Sequence, residues 1–170
     1  RVEAGYLDLA VLDSTAPEAV LACADRLDLA KTLFIVSTKS GGTVETFSFF
    51  RYFYNRTGAA LGADQAGAHF IAITDPGSKL AEIARQLDFR ACFLNDPNIG
   101  GRYSALSLFG MLPAALMGVD VQRILDRAIQ MAAQCASDNY AANPAAQLGA
   151  MLGELALAGQ FSAELAHLDR

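Results

Sequence analysis

Residues 33–46 read LFIVSTKSGGTVET, an apolar run that passes abruptly into hydroxyl side chains, one lysine and a pair of glycines. Leu33 to Val36 are apolar and largely β-branched or aromatic, which is typical of a strand buried on both faces of a parallel sheet. Aromatic side chains then recur with helical spacing from Phe47 onward. The stretch therefore predicts a buried strand, a polar loop and a helix, the unit from which parallel α/β sheets are built.

The polar part of this stretch, residues 37–43, is named the donor loop below and is rich in groups that bind anions. Five donor side chains fall within seven positions, and they are Ser37, Thr38, Lys39, Ser40 and Thr43. The pair Gly41-Gly42 lets backbone N–H groups approach a ligand without an intervening Cβ. A helix N-terminus after the loop adds unpaired N–H groups and the positive end of the helix dipole. The donor loop therefore predicts a phosphate site, and the alternative of a plain connection with an N-cap stays open because the same residues form ordinary turns.

The donor loop does not match the common nucleotide-binding motifs. In a Walker loop the lysine follows the glycines and precedes a serine or threonine, whereas Lys39 precedes Gly41. The sequence also lacks the glycine-rich fingerprint of dinucleotide-binding folds. A nucleotide is therefore not the predicted ligand.

The remainder of the chain repeats the pattern of strand, loop and helix. Strands are predicted at residues 7–12, 33–36, 69–74 and 91–94, and helices at 16–27, 44–56, 79–86, 105–117, 120–137 and 144–158. Strands separated by helices imply right-handed crossovers and a parallel sheet covered on both faces. The predicted fold class is α/β, a three-layer αβα arrangement with a flavodoxin-like parallel sheet and a helical C-terminal extension. Ligands of such sheets bind at the carboxyl ends of the strands.

Composition restricts the kinds of partner. Of the 170 residues 53% are hydrophobic, and 13 Lys plus Arg against 18 Asp plus Glu give a net charge of −5. The acidic surplus opposes general nucleic-acid binding, no apolar run approaches the roughly 20 residues of a membrane span, and no signal-peptide pattern is present. We therefore predict a cytoplasmic protein with no nucleic-acid and no membrane partner. Three widely spaced cysteines indicate neither a disulfide framework nor a zinc site, and a first residue other than Met indicates a piece of a longer chain.

A second polar loop, residues 95–104, is named the arginine loop below and follows the predicted strand at 91–94. It carries Gly100, Gly101 and Arg102 in succession. A guanidinium is planar, always protonated and rich in donors, which suits an oxyanion or a developing enediolate charge. If this loop is considered alone, a surface ion pair explains Arg102 equally well. A second donor-rich loop at the same predicted sheet edge favours a shared site.

Two motifs together carry a resemblance to a known family. Residues 37–46, STKSGGTVET, are followed by residues 99–107, IGGRYSALS. This pair resembles phosphoglucose isomerase, within the sugar isomerase (SIS) domain superfamily, and the resemblance covers nearly the whole chain. With Asp13-Ser-Thr upstream and Asn143-Pro downstream, the Gly-Gly form of the first motif is most similar to the bacterial isomerases that are fused to transaldolase.

The resemblance implies a role for each motif residue. The implied phosphate-binding residues are Thr38, Lys39, Ser40 and Thr43, and the implied supporting residues are Ser37, Gly41, Gly42, Gly100 and Gly101. Lys39 would add charge and its backbone N–H to the phosphate site. Arg102 would be the catalytic residue that stabilises the enediolate while a proton moves between C1 and C2 of the sugar. The resemblance implies no metal and no cofactor.

The resemblance also implies an enzyme with further parts. Its activity would be the aldose–ketose isomerisation of glucose 6-phosphate to fructose 6-phosphate, and in this family the base glutamate and the ring-opening histidine lie in a second SIS domain. Glu154, Glu164 and His167 lack that motif context, so none of them is assigned a role. Residues 1–137 are predicted to form an SIS-type sugar-phosphate-binding domain without its first strand and Gly-rich loop, and 138–170 a helical segment that packs on or leads to the second SIS domain. A fused transaldolase domain and a homodimer stay open as partners.

Two other interpretations stay open from the sequence. A non-catalytic SIS domain would bind a phosphosugar to regulate another protein, but it has no chemical need for Arg102, and no helix-turn-helix segment or basic patch accompanies it here. A purely structural flavodoxin-like domain would need neither loop. The presence of both motifs in order favours the isomerase.

Overall fold

The computed structural model describes residues 5–160, and it divides the chain into two compact units. The first unit extends to Val119 and the second begins at Asp120. The sequence predicted a domain boundary after residue 137, and that boundary stays a prediction. Within the described residues, no helix is long and apolar enough to cross a bilayer.

The first unit is built on a three-stranded parallel sheet. Its strands are β1 (Phe34–Ser37), β2 (Phe70–Thr74) and β3 (Ala91–Leu94), in the spatial order β1-β2-β3. All residues of β2 are buried, as expected for a central strand covered on both faces. The prediction of an α/β fold with a parallel sheet is therefore confirmed, and these three strands lie within one residue of their predicted positions.

Among the described residues of the first unit, one α-helix precedes β1, one lies in each of the two connections between strands, and one follows β3. These helices are α1 (Pro17–Asp25), α2 (Val44–Leu61), α3 (Lys79–Gln86) and α4 (Leu108–Leu116). Helix α2 continues beyond its predicted end at residue 56. It stops at Gly62 instead, where the backbone takes a φ of 106° that only glycine adopts readily.

An aromatic cluster packs α2 onto the sheet. Phe70 of β2 is 1% exposed, and its ring centre lies 4.8 Å from that of Phe34 in β1 and 5.8 Å from that of Phe50 in α2. Each fully buried aromatic side chain of this kind stabilises the fold by about 1.5–3 kcal/mol. The cluster therefore holds α2 against the sheet, with its N-terminus just beyond the carboxyl end of β1.

Residues 7–12 were predicted to form a strand, and that prediction is wrong. Their backbone is irregular, and the Leu7 N–H donates to the carbonyl of Leu116 at the end of α4 (3.0 Å) rather than to a strand. Leu7, Leu9 and Val11 are exposed. A strand needs a neighbouring backbone to pair with, and none of the residues in 5–160 pairs with this segment.

The second unit is a pair of helices in contact, α5 (Val121–Cys135) and α6 (Pro144–Leu157). Asn143 joins them. Its Nδ2 donates to the carbonyls of Cys135 (2.8 Å) and Ser137 (2.9 Å), and its Oδ1 accepts from two backbone N–H groups in the first turn of α6. Several apolar side chains of this unit are exposed: Ile129, Met131, Leu148, Met151 and Leu155.

Candidate functional site

The donor loop joins the carboxyl end of β1 to the N-terminus of α2, where the sequence placed it. The Thr38 N–H donates to the carbonyl of Ile73 in β2 (3.1 Å), so the sheet ladder continues one residue beyond β1. Thr38 is buried and Lys39 half-buried, whereas Ser37, Ser40 and Thr43 are exposed. The loop thus starts from a fixed point of the sheet and opens to solvent at its far end.

Two hydroxyl groups of the donor loop converge at the start of α2. Thr38 Oγ1 and Thr43 Oγ1 lie 3.1 Å apart. Thr43 is the N-cap residue of α2, yet its side chain makes no capping hydrogen bond. The N-cap side chains of the next four helices all accept a backbone N–H: Ser78, Ser107, Asp120 and Asn143. The first turn of α2 therefore presents N–H groups that its own cap does not satisfy, beside two hydroxyls, which is an arrangement suited to an oxyanion.

Gly41 and Gly42 are required for different reasons. Gly41 has a φ of 65°, and a Cβ there would lie 2.8 Å from the backbone N of Leu80 and 3.1 Å from that of Lys79. The donor loop therefore rests directly on the start of α3. A Cβ on Gly42 would meet only Ser40 Oγ, at 3.7 Å, among the described atoms. Gly41 shapes the loop, and Gly42 leaves its backbone accessible.

The Lys39 side chain connects the donor loop to two other loops. Its ammonium forms an ion pair with Asp75 Oδ2 in the turn after β2, and it donates to the Pro97 carbonyl in the arginine loop (2.7 Å). The Lys39 carbonyl accepts from the Asp75 N–H (3.1 Å) and from the Thr74 hydroxyl (3.2 Å). The loops after all three strands are therefore in direct contact through this one residue.

Arg102 lies in the arginine loop, on a 3-10 turn (Gly101–Tyr103), and is exposed. The Tyr103 N–H donates to the Gly100 carbonyl (2.9 Å), which closes the turn. A Cβ on Gly101 would meet no described atom within 4 Å, so space beside the backbone is open there. Because β1 and β3 flank β2, the two loops start about 10 Å apart, which is two strand spacings.

Sequence reasoning did not single out Asp75 or Asn95 as site residues. Asp75 lies between the two loops, in the turn that follows the carboxyl end of β2. Asn95 is 5% exposed; its Oδ1 accepts from the Leu108 N–H at the start of α4 (3.2 Å), and its Nδ2 has no partner among the described residues. The available signal was their position, since each polar residue directly follows a strand of the parallel sheet.

The unassigned acidic and histidine residues stay unassigned. Glu154 lies on α6 in the second unit and is exposed. Glu164 and His167 lie outside the described residues. Across residues 5–160, no group of three or more His, Cys, Asp or Glu side chains is arranged to hold a metal ion.

Comparison with known proteins places the chain in a family. A family model described as phosphoglucose isomerase matches residues 2–162. The chain belongs to the phosphoglucose isomerase family. The resemblance drawn from the two motifs is therefore confirmed.

Curated phosphoglucose isomerase relatives match most of this chain. The glucose-6-phosphate isomerase of Thermosynechococcus vestitus is 40% identical over 149 residues, which cover 84% of this chain and 27% of that protein. The glucose-6-phosphate isomerase of Carboxydothermus hydrogenoformans is 36% identical over 136 residues, which cover 79% of this chain and 29% of that protein. These relatives are isomerases, the enzyme class that the sequence predicted. The chain thus spans less than a third of their length.

Solved structures agree with the fold. A protein of Thermus thermophilus, described as hypothetical, superposes with a TM-score of 0.71 at 33% identity, over 74% of this chain and 30% of that one. A glucose-6-phosphate isomerase from Chlamydia trachomatis superposes with a TM-score of 0.70 at 26% identity, over 82% of this chain and 26% of that one.

Proposed function

We propose that this chain is the sugar-phosphate-binding part of a glucose-6-phosphate isomerase, which interconverts glucose 6-phosphate and fructose 6-phosphate through an enediolate. In this proposal the donor loop anchors the phosphate and Arg102 stabilises the enediolate. The phosphate-binding side chains are Thr38, Ser40 and Thr43, together with the backbone N–H groups at the start of α2.

The observation that carries the proposal is the pair of threonine hydroxyls at the start of α2. Thr38 Oγ1 and Thr43 Oγ1 are 3.1 Å apart, and Thr43 does not cap its own helix. A phosphate dianion can accept from both hydroxyls and from the first-turn N–H groups, and the dipole of the 18-residue helix favours its charge. A plain connection would use Thr43 as a cap, as the following four helices use theirs.

The chemistry requires a base as well as an anchor. In the open-chain aldose the base removes the proton on C2, and the electrons of the broken C–H bond form the C1–C2 double bond, which leaves the charge on the C1 oxygen. Arg102 stabilises that charge, a proton moves from the C2 hydroxyl to the C1 oxygen, and the base returns its proton to C1 as the C2 carbonyl forms, so the ketose forms with no net oxidation. We place the base in the second SIS domain that the family resemblance implies. Because the first motif is similar to that of transaldolase-fused isomerases, we extend the proposal to a fused transaldolase domain. The length of the complete protein tests this part of the proposal.

The test is an isomerase assay on the complete protein that carries this chain, with fructose 6-phosphate as substrate and glucose-6-phosphate dehydrogenase as coupling enzyme. Arg102→Ala should lower kcat by about 10²–10³-fold, as removal of an oxyanion donor does, with a smaller change in KM. The matched control is Arg85→Ala, because Arg85 is exposed and contacts Glu82 on its own helix.

Three other outcomes are informative. A rise in KM with kcat unchanged would make Arg102 a ground-state binder. Glucose 6-phosphate binding without turnover by the unmodified protein would favour a regulatory SIS domain. The absence of both glucose 6-phosphate binding and turnover in the unmodified protein would contradict the proposed function altogether.

A further inference from the structure

We propose that Lys39 is a positioning residue that holds the donor loop and the arginine loop in register, with Asp75 as its counter-ion, and that its ammonium does not bind the phosphate. The three residues Lys39, Asp75 and Pro97 are named the lysine bridge. Its effect on turnover rests on the proposed function, whereas its effect on the loops does not.

The Lys39–Asp75 ion pair of the lysine bridge is largely removed from water, whereas Pro97 is exposed. The Lys39 side chain is 30% exposed and that of Asp75 is 15% exposed. The second oxygen of Asp75, Oδ1, is buried and accepts no hydrogen bond from any described residue. Among the described groups, Lys39 is thus the cation that compensates this carboxylate. Removing one partner of such a pair leaves an uncompensated buried charge, which is strongly unfavourable.

Backbone contacts make the lysine bridge continuous across the sheet edge. The Lys39 carbonyl is fixed by the Asp75 N–H and by the Thr74 hydroxyl. The Asn95 N–H in turn donates to the Thr74 carbonyl (2.8 Å), so the start of the arginine loop is tied to the same turn. The Lys39 ammonium then extends from this fixed backbone to the Pro97 carbonyl (2.7 Å). The bridge therefore joins the donor loop, the turn after β2 and the arginine loop at one edge of the sheet.

The same contacts argue against a phosphate contact by the Lys39 ammonium. A carboxylate and a carbonyl oxygen take two of its three N–H groups, and the carboxylate balances its charge. In this proposal the phosphate accepts hydrogen bonds instead from the hydroxyls of Thr38 and Thr43 and from the backbone N–H groups in the first turn of α2. Lys39 thereby acts through the loops, as a positioning residue rather than a catalytic one.

Hydrogen exchange of the complete protein tests the lysine bridge without any ligand. Lys39→Met and Asp75→Asn should each raise amide exchange by about tenfold or more in both the donor loop and the arginine loop, because each opens the same connection. The matched control is Asp28→Asn, which changes the Lys31–Asp28 ion pair, whose side chains are 84% and 57% exposed. This control should leave both loops unchanged. Faster exchange in the donor loop alone, or in neither loop, would overturn the proposal.

Turnover separates positioning from phosphate binding. If Lys39 positions the loops, Lys39→Met and Asp75→Asn should both lower kcat by about tenfold, with KM changed by less than about threefold. If the ammonium bound phosphate, Lys39→Met would raise KM at constant kcat, and Asp75→Asn would lower KM by releasing the ammonium. That second pattern would overturn the proposal. An unmodified protein without isomerase activity would contradict the proposed function, and the exchange measurement would still decide the lysine bridge.

Discussion

Replacing Gly41 with alanine should destabilise the first unit by about 2–5 kcal/mol, and the structure gives two reasons. The left-handed φ of 65° costs a residue with a Cβ about 1–2 kcal/mol. The new Cβ would also lie 2.8 Å from the Leu80 nitrogen and 3.1 Å from Ser78 Cβ. These atoms belong to the capped start of α3, where the Ser78 hydroxyl accepts from the Ala81 N–H (3.1 Å). These atoms cannot move away without disturbing the start of α3, so overpacking adds about 1–3 kcal/mol.

Gly42→Ala is the matched control, since it makes the same change one residue later. Gly42 does not take a left-handed φ, and its nearest described neighbour would be a flexible hydroxyl at 3.7 Å. Its effect on the free energy of unfolding should stay within about 0.5 kcal/mol. Urea unfolding of both variants, followed by circular dichroism, measures the difference. Equal stabilities, or a larger loss for Gly42→Ala, would refute the reasoning that Gly41 shapes the donor loop against α3.

Three further predictions concern groups away from the donor loop. Thr57→Val should raise the free energy of unfolding by about 1–2 kcal/mol, because Thr57 is fully buried on α2 and its hydroxyl has no partner among the described residues; a lower thermal midpoint would contradict this. Asn143→Ala should lower the stability of the second unit by at least about 2 kcal/mol in urea unfolding, since two hydrogen bonds to carbonyls at the end of α5 and two that cap the first turn of α6 are lost; an unchanged midpoint would show that Asn143 does not hold the pair together. Burial raises the pKa of the Cys92 thiol, so with Cys23 and Cys135 replaced by serine, its alkylation by iodoacetamide should become fast at a higher pH in the folded chain than in urea. Coincident pH profiles would argue against that shift.

Local sequence signals were sufficient for the elements that carry the donor loop. The strand before it and the helix after it follow from an apolar run, a hydroxyl-rich break and helical spacing, all within residues 33–53. The convergence of Thr38 and Thr43 is also local, because a short loop closed by two glycines joins them. Residues 7–12 show the limit of such signals. Their apolar pattern suits a strand, but whether a strand forms depends on a pairing partner that composition does not reveal.

The lysine bridge could not be predicted from spacing. Lys39 is 36 residues from Asp75 and 58 residues from Pro97 in the chain. Their meeting depends on the register of the sheet, in which Ser37 pairs with Ile73 and Thr74 pairs with Leu94. That register is set by the burial of the central strand and the packing of aromatic rings, which are properties of the whole first unit. For the same reason a lysine beside several other polar residues was naturally assigned to the phosphate.

The most direct test of the phosphate site is a titration of the isotopically labelled chain with glucose 6-phosphate and with inorganic phosphate, followed by amide chemical shifts. Both ligands should move the amides of residues 43–46 most, and Thr38→Val combined with Thr43→Val should weaken binding by at least about tenfold, because two hydrogen bonds to a charged ligand are lost. Thr57→Val, the same substitution deep in α2, should bind as the unmodified chain does. Shifts centred elsewhere, or a double variant that binds as tightly as the unmodified chain, would contradict phosphate binding at the start of α2.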